Sequence, residues 1–208
     1  MTNSEELTNN NLQLPPGWQD YLDKITPHLS AVQSKKVLEI GPFNGWTSLR
    51  ILQYFPEHLT LVENNKDAIE VLTRSVSKPN VTIIKNDIYH FLEKDFVVDV
   101  VVLFGVLYHL HSPIYLLELI ANRCNPEVFL LETIPSGEHA YHKEYDNEPG
   151  NRYVNEGWKS AGLTTTLKEE TILLAMGNLG YSLDNIIRPN YTADVKKNTV
   201  LYKFRRNQ

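Results

Sequence analysis

Acidic residues and glycines stand at the ends of apolar stretches of this sequence, where they could hold a polar ligand. Glu39 lies within an apolar stretch that breaks at Gly41 and Gly45, while Glu63 and Asp87 stand at the ends of the next two stretches. Carboxylates accept hydrogen bonds from hydroxyl and amino groups, and glycines let a ligand approach the backbone closely. If the stretches are parallel strands, this edge of their sheet is where nucleotides bind. The pattern therefore predicts a nucleotide site.

The spacing of these residues bears on which nucleotide is bound. Glu63 follows Gly41 by 22 residues, which is where an acid accepts ribose hydroxyls. Asp87 can accept a hydrogen from the adenine amino group while Ile88 packs on the ring. The glycine loop lacks the G-x-G-x-x-G spacing of dinucleotide sites, and Glu39 has no evident use in such a site. These features favour S-adenosylmethionine (SAM) over a nicotinamide cofactor.

A second distinctive run, Phe104–Pro113, follows the fourth apolar stretch. Its Tyr108 ring could stabilise a sulfonium by roughly 0.5–2 kcal/mol. His109 and His111 would share a face only in an extended loop. As metal ligands they would need a third partner, for which the nearby candidates are His139, His142 and Glu144. We predict no metal site and interpret each histidine alone as a hydrogen-bonded structural residue in the first instance.

The elements that must position these residues alternate between strand-like and helical patterns. This alternation predicts an α/β, doubly wound, seven-stranded and mostly parallel sheet with its last strand antiparallel. The predicted strands are Val37–Ile40, Leu59–Glu63, Val81–Lys85, Val98–Phe104, Val128–Thr133, and a closing hairpin of Asn185–Arg188 with Thr199–Phe204. Residues 134–162 interrupt the pattern after the fifth strand, and we predict that they form a lid on the substrate side.

Composition limits the class of protein. The chain has 208 residues, 42% of them hydrophobic, and a formal net charge of −5, so a broad nucleic-acid surface is not indicated. Its one cysteine, Cys124, rules out an internal disulfide. We expect residues 1–14 to be disordered and residues 15–208 to form one domain. With no long apolar run and no signal peptide, we expect a cytoplasmic protein without a membrane anchor.

These residues carry a resemblance. The run Gly105–Leu110 with Ser112-Pro113 resembles class I SAM-dependent methyltransferases, in particular a subgroup of small-molecule methyltransferases and tRNA wobble-uridine carboxymethyl transferases. Leu131–Thr133 and Asn151–Val154 are also similar to that subgroup. The chain differs in having Phe43 at the middle glycine of the usual G-x-G-x-G. It also lacks the long N-terminal extension of the tRNA enzymes, and their cationic surface is not evident in the sequence, which favours a small substrate.

The resemblance implies roles by position. The methionine end of SAM would be held by Glu39, Gly41, Phe43 and Gly45. The ribose would bind Glu63 and Asn64, and the adenine Asp87 and Ile88. Phe104, Gly105 and Tyr108 would line the sulfur end, and in the wobble-uridine enzymes the matching tyrosine helps to hold the extra carboxylate of carboxy-SAM.

Methyl transfer from a sulfonium is an in-line displacement, so the protein mainly supplies alignment and a dry site. An acceptor that must lose a proton needs a base, and the candidates are His109 and Glu132, with Tyr108 as the third predicted catalytic residue. We predict that the insertion reads the substrate through Tyr141, Arg152, Tyr153 and Trp158. A tRNA-modifying enzyme and a catalytically idle SAM-binding module remain alternatives. The acceptor atom and the oligomeric state are left open.

Overall fold

The computed structural model describes residue 14 and residues 17–136, 140–143, 163–188 and 198–208. For residues 140–143, 163 and 164 it describes the backbone alone. Residues 1–13 of the predicted disordered N-terminus and most of the predicted lid therefore lie outside the described residues.

A seven-stranded sheet forms the centre of the fold, with the order β3-β2-β1-β4-β5-β9-β8. Its five parallel strands are β1 (Lys36–Ile40), β2 (His58–Glu63), β3 (Val81–Lys85), β4 (Val100–Phe104) and β5 (Val128–Thr133). The closing strands are β8 (Tyr181–Ile187) and β9 (Val200–Arg206), and β9 runs antiparallel to both of its neighbours, β5 and β8. The predicted fold class is confirmed, and the closing hairpin begins earlier than Asn185 and ends later than Phe204.

Helices follow the parallel strands, as the alternating pattern predicts. They are α1 (Trp18–Ile25), α2 (Trp46–Leu52), α3 (Lys66–Ser75), α4 (Ile88–Phe91), α5 (Pro113–Leu119) and α6 (Glu169–Asn178). Helix α1 continues into a 3-10 segment, Thr26–Val32, where Pro27 stands, and α5 continues into a π-helical turn, Ile120–Cys124. None of the helices in the described ranges is long and apolar enough to cross a membrane.

Local capping signals fix two of the strand-to-helix turns. Asn65 caps α3, because its side-chain oxygen accepts from the backbone N–H groups of Asp67 and Ala68. Asp87 caps α4 in the same way, accepting from the N–H groups of Tyr89 and His90. Both caps stand at the carboxyl edge of the sheet, so the turns that surround the predicted site are held by side-chain hydrogen bonds.

The two faces of the sheet bury separate apolar clusters, as expected for strands that are covered on both sides. Leu38 and Ile40 of β1 pack in one cluster and Val37 in the other, because successive side chains alternate between faces. By the same alternation Glu39, Phe104 and Glu132 point to the face that carries Val37. The sequence of each strand thus decides which polar residues lie under α1 and α2.

An antiparallel pair of strands that was not predicted flanks most of the predicted lid. Strand β6 (Ala140–Lys143) pairs with β7 (Leu163–Thr166) outside the main sheet. The Thr165 hydroxyl donates to the backbone oxygen of His111 at 3.1 Å. The two ends of the segment between β6 and β7 are therefore held close to the run after β4.

Three glycines differ in how closely neighbouring atoms approach them, and Gly45 lies in the turn after β1. Gly45 has φ +81°, and a Cβ there would lie 2.6 Å from Val76 Cγ2 and 2.8 Å from Leu72 Cδ2. Gly180 has φ +84° but no described atom within 4 Å of such a Cβ, and Gly177, inside α6, likewise has none. Substitutions at these three positions can therefore distinguish the cost of a left-handed backbone from the cost of a steric clash.

We expect Gly180→Ala to lower the free energy of unfolding by about 1–2 kcal/mol, because a Cβ disfavours left-handed backbone. Gly45→Ala should cost about 1–3 kcal/mol more, because Leu72 and Val76 must also move. Gly177→Ala should stabilise the protein by about 0.5–1 kcal/mol, since alanine is the better helix former. Urea unfolding of the three variants measures these differences. Equal losses for Gly45→Ala and Gly180→Ala would show that the contact with α3 is unimportant.

Candidate functional site

A cleft with two lobes runs along the carboxyl edge of the sheet. The first, which we call the Asp87 lobe, is a cavity of about 290 Å³ whose walls include Val62, Glu63, Asn64, Asp87 and Ile88. The second, the Trp46 lobe, is a cavity of about 320 Å³ whose walls include Trp18, Tyr21, Phe43, Trp46, Phe104 and Tyr108. Gly41, Val106 and His109 belong to both walls, so the lobes meet at the ends of β1 and β4.

The structure brings most of the predicted site residues into this cleft. The Asp87 lobe contains Gly41, Glu63, Asn64, Asp87, Ile88 and His109. The Trp46 lobe contains Glu39, Gly41, Phe43, Phe104, Gly105, Tyr108 and His109. Gly45 and Glu132 line neither lobe. The predicted substrate residues Arg152, Tyr153, Trp158 and the side chain of Tyr141 lie outside the described residues.

Glu63 binds the backbone on two sides of the cleft. Its Oε1 accepts from the N–H groups of Asn64 and Asn65, each at 2.9 Å, and its Oε2 accepts from the Phe43 N–H at 3.0 Å. Burial raises the pKa of this carboxyl, and the three backbone donors oppose that rise. Since a carboxylate offers about four acceptor positions, one position is left for a hydroxyl, not the two that both hydroxyls of a ribose would use.

Glu39 lies beneath the loop, only 2% exposed. The Ser48 hydroxyl, on α2, donates to its Oε2 at 2.6 Å. Burial raises the pKa of Glu39 from 4.5 to about 8, against the opposing effect of Ser48, and the charge of Glu63 raises it further. A neighbouring cation would reverse that rise, because an opposite charge favours the carboxylate.

The loop between β1 and α2 holds its shape by close contact. Gly41 has φ +67°, and a Cβ there would lie 2.5 Å from Val106 Cγ2, so only glycine fits at the junction of the lobes. Phe43 also adopts a left-handed conformation, with φ +50°. Its N–H donates to Glu63 and its ring meets Trp46 edge-on at 6.4 Å, which shows how the loop accommodates a side chain at the usual middle glycine.

Aromatic residues that the sequence reasoning did not assign to a site dominate the Trp46 lobe. Trp46 is the first residue of α2, directly after Gly45, and Tyr21 lies on α1. Trp18, which begins α1, contacts Trp46 at 4.8 Å between ring centroids and Tyr21 at 5.4 Å. Trp18 and Tyr21 lie three residues apart on α1, so the same helix face that packs on the core also borders the cleft.

Glu132 stands behind the Trp46 lobe and not in its wall. It is fully buried at the end of β5, beside Phe104 in the sheet register. The Tyr21 hydroxyl donates to its Oε2 at 3.4 Å, a long contact, and Tyr21 itself lines the lobe. The carboxylate predicted as a base therefore reaches the cleft through Tyr21.

The two histidines of the run after β4 separate in space. His109, half-buried in the 3-10 turn Leu107–His109, stands where the lobes meet, and its ring lies 4.4 Å from that of Tyr108. His111 is exposed, with its Nδ1 3.1 Å from the Ser112 hydroxyl. Within the part of the chain that the structure describes, no three potential ligands converge as they would around a metal ion.

The comparisons with known proteins identify the family. A methyltransferase domain family matches residues 12–184 of the chain. This chain belongs to that methyltransferase family. The match covers well over half of the sequence, and it confirms the prediction of a methyltransferase enzyme.

Solved structures of the same fold include methyltransferases with bound cofactor. The N-terminal domain of EvdMO1, in the presence of S-adenosylhomocysteine (SAH) and D-fucose, aligns with a TM-score of 0.67 and 16% identity over 91% of this chain and 84% of that one. Magnesium protoporphyrin IX methyltransferase from Synechocystis PCC 6803, with bound SAM, aligns at 0.67 and 14% over 95% and 87%.

The 1,6-didemethyltoxoflavin-N1-methyltransferase of Burkholderia thailandensis, with bound 1,6-didemethyltoxoflavin and SAH, aligns with a TM-score of 0.65 and 14% identity over 93% of this chain and 79% of that one. Together with the family match, these structures support SAM as the cofactor. The residues present fit SAM. One lobe has carboxylates that can accept hydrogen bonds, and the other has aromatic rings whose faces can stabilise a cation. Gly41 has no side chain, so the space between the two lobes is open.

The buried Glu39 should make stability depend on pH. The pKa of Glu39 is about 8 in the folded protein, whereas its ordinary value is 4.5. Between these two pH values the folded protein holds a proton that the unfolded chain has lost, so the free energy of unfolding falls as pH rises through this range. Glu39→Gln should flatten this fall by up to about 1.4 kcal/mol per pH unit. The exposed Glu70→Gln should leave it unchanged.

Urea unfolding of the ligand-free protein at pH 6, 7 and 8 gives the slope. If Glu39→Gln retains the wild-type slope, the Glu39 carboxyl is already ionised in the folded protein at pH 6.

Proposed function

We propose that this enzyme transfers a methyl group from SAM to a small-molecule acceptor, with adenosine in the Asp87 lobe and the transferred carbon in the Trp46 lobe. One observation carries the proposal: an acid-lined lobe and an aromatic lobe join at Gly41, Val106 and His109. A nucleoside needs hydrogen-bond acceptors, whereas a sulfonium is stabilised by ring faces. The two halves of SAM therefore match the two lobes.

The adenosine half would bind through Asp87, Ile88 and Glu63. Asp87 uses Oδ1 to cap α4, with bonds of 2.9 and 3.3 Å, which leaves Oδ2 for the adenine amino group. Ile88 supplies an apolar contact for the ring. Glu63 accepts one ribose hydroxyl at the acceptor position that its three backbone donors leave open.

The methionine half would bind over the loop Gly41–Gly45. Its ammonium group matches Glu39, whose buried carboxyl accepts from Ser48 and whose ionised form a cation would favour further. Gly41 lets the chain pass close to the backbone. The predicted contact of Gly45 with the cofactor remains part of this proposal, and the packing of Leu72 and Val76 from the α3 region gives a second reason for its lack of a side chain.

The chemistry that SAM supplies is an electrophilic methyl group on a sulfonium. The protein's part is to align the acceptor in line with that carbon and to exclude water. Tyr108 and Phe104 present aromatic surface in the Trp46 lobe. His109 is the base that we favour for an acceptor that must lose a proton, because it stands at the junction of the lobes, whereas Glu132 is not among the described wall residues and contacts the Tyr21 hydroxyl.

A small acceptor is supported by size and charge. The Trp46 lobe, which would receive the transferred carbon, is a cavity of about 320 Å³, at the lower end of the range of small-molecule sites. Neither lobe has a lysine or arginine among its described wall residues, and the chain carries a net charge of −5. These features do not suit a polyanion. The predicted contributions of Tyr141, Arg152, Tyr153 and Trp158 to acceptor binding remain part of this proposal.

Binding and turnover together test the proposal. Titration calorimetry should show saturable binding of SAH and no binding of NAD, and incubation with radiolabelled SAM and a panel of small acceptors should give a labelled product. SAH binding without turnover on any acceptor would favour a binding module. Turnover confined to bulk tRNA, with retention on tRNA that weakens steeply with salt, would favour the nucleic-acid alternative.

Asp87→Asn isolates the adenine contact. The variant keeps an oxygen that can cap α4, so we expect its unfolding free energy to change by less than about 0.5 kcal/mol. It replaces the free carboxylate oxygen by an amide donor, so SAH affinity should fall about tenfold. The inosine analogue of SAH, which presents a carbonyl in place of the amino group, should lose no affinity for the variant relative to wild type. Equal losses for both ligands would place Asp87 away from the adenine edge.

A further inference from the structure

We infer that Tyr89 and Thr165 are positioning residues for the cofactor, because their hydroxyl groups hold the backbone segment that forms one wall of the Asp87 lobe. This inference rests on the proposed function and deepens it by naming what fixes the seat of the adenosine. Neither residue was among the predicted site residues, and Thr165 is not among the described wall residues of either lobe.

The wall in question is the run His109–His111, which we call the histidine wall. All three of its residues line the Asp87 lobe. The 3-10 turn before it ends at His109, and α5 begins only at Pro113, so residues 110–112 lie outside the helices and strands. Backbone groups in such a segment have no regular ladder of partners and must find hydrogen bonds elsewhere. The position of the histidine wall therefore depends on donors from other elements.

Two hydroxyl groups donate to consecutive carbonyl groups at the end of the histidine wall. The Thr165 hydroxyl donates to the backbone oxygen of His111 at 3.1 Å, and the Tyr89 hydroxyl donates to that of Ser112, also at 3.1 Å. The two donors belong to different elements, β7 and α4. A shift of the segment away from either element would lengthen one of these bonds, so together they fix where the wall stands.

The Tyr89 side chain is itself held in place. Its ring stacks on that of Tyr115 in α5, with 6.0 Å between centroids and 9° between planes, and its backbone N–H donates to Asp87 Oδ1 at 2.9 Å. Burial raises the pKa of Tyr89 to about 12, and the charge of Asp87 raises it further, so the hydroxyl keeps its proton at neutral pH and remains a donor. One residue thus joins the carboxyl that would bind adenine to the histidine wall.

Thr165 joins the histidine wall to the other side of the cleft. It is buried, with 7% of its surface exposed, and its strand β7 also packs against the turn Leu107–His109. In the β6–β7 pair it is the register partner of Tyr141, which we propose for acceptor binding. A residue 54 positions from His111 and outside the described lobe walls therefore bears on how well the cofactor binds.

Titration calorimetry with SAH tests this inference. We expect Thr165→Val and Tyr89→Phe, which remove only the donors, each to weaken SAH about fivefold, because the wall is then free to shift. Thr165→Ser keeps the hydroxyl and should bind SAH within about twofold of wild type. Valine keeps the shape of threonine and serine does not, so a role in packing alone would give the opposite order of the two Thr165 variants.

Two matched variants serve as controls. Thr73→Val and Tyr54→Phe remove the same hydroxyl groups from bonds of 2.8 Å to the backbone oxygens of Ile69 and Thr26, and neither residue is in the described walls of the lobes. Both should leave SAH affinity unchanged. Urea unfolding establishes that each variant is folded under the conditions of the titration.

The outcomes separate the inference from the function it rests on. Absence of SAH binding to the wild-type protein would overturn the proposed function itself. Wild-type binding that is unchanged in Thr165→Val and Tyr89→Phe would overturn the inference alone. A larger loss in Thr165→Ser than in Thr165→Val would also overturn it, because the methyl group of Thr165 and not its hydroxyl would then matter.

Discussion

The carboxylate of Glu63 is the interaction on which the rest of the cleft depends. It joins the end of β2 to the start of α3 through Asn64 and Asn65, and it holds the β1–α2 loop through Phe43. Because it is buried, each of these bonds forms in a medium where loss of a partner is expensive. The loop that separates the two lobes is therefore set by the neighbouring strand and not by its own sequence alone.

Register and alternation explain why the buried acids Glu39 and Glu132 lie on the same face of the sheet as Phe104. Glu39 of β1, Phe104 of β4 and Glu132 of β5 share the face that α1 and α2 cover, and Phe104 and Glu132 are direct register partners. A shift of one residue in any of these strands would turn its side chain to the other face. The apolar alternation that stabilises the core thus also fixes the positions of the acids.

Features that depend on neighbouring residues in the sequence could be predicted, whereas features that depend on contacts between distant residues could not. The parallel strands, the caps at Asn65 and Asp87, and the group of acids at one sheet edge follow from periodicity and turn chemistry within a few residues. The hydrogen bond from Tyr21 to Glu132 joins residues that are 111 positions apart, so no local pattern predicts it. The packing of Gly45 against Leu72 and Val76 is equally non-local, so no local pattern indicates it.

The two lobes differ in how they are built, and this difference bears on how substrate choice can vary. The Asp87 lobe is made largely of strand ends and capped helix starts, whose positions the hydrogen-bonded sheet determines. The Trp46 lobe depends on α1, which contributes Trp18 and Tyr21 and is held to the sheet by side-chain packing, with Leu22 and Ile25 in its buried face. Substitutions on the cleft side of α1 can reshape the aromatic lobe while the strand ladder keeps the other lobe unchanged. A fold of this kind can therefore keep one cofactor and still change its acceptor.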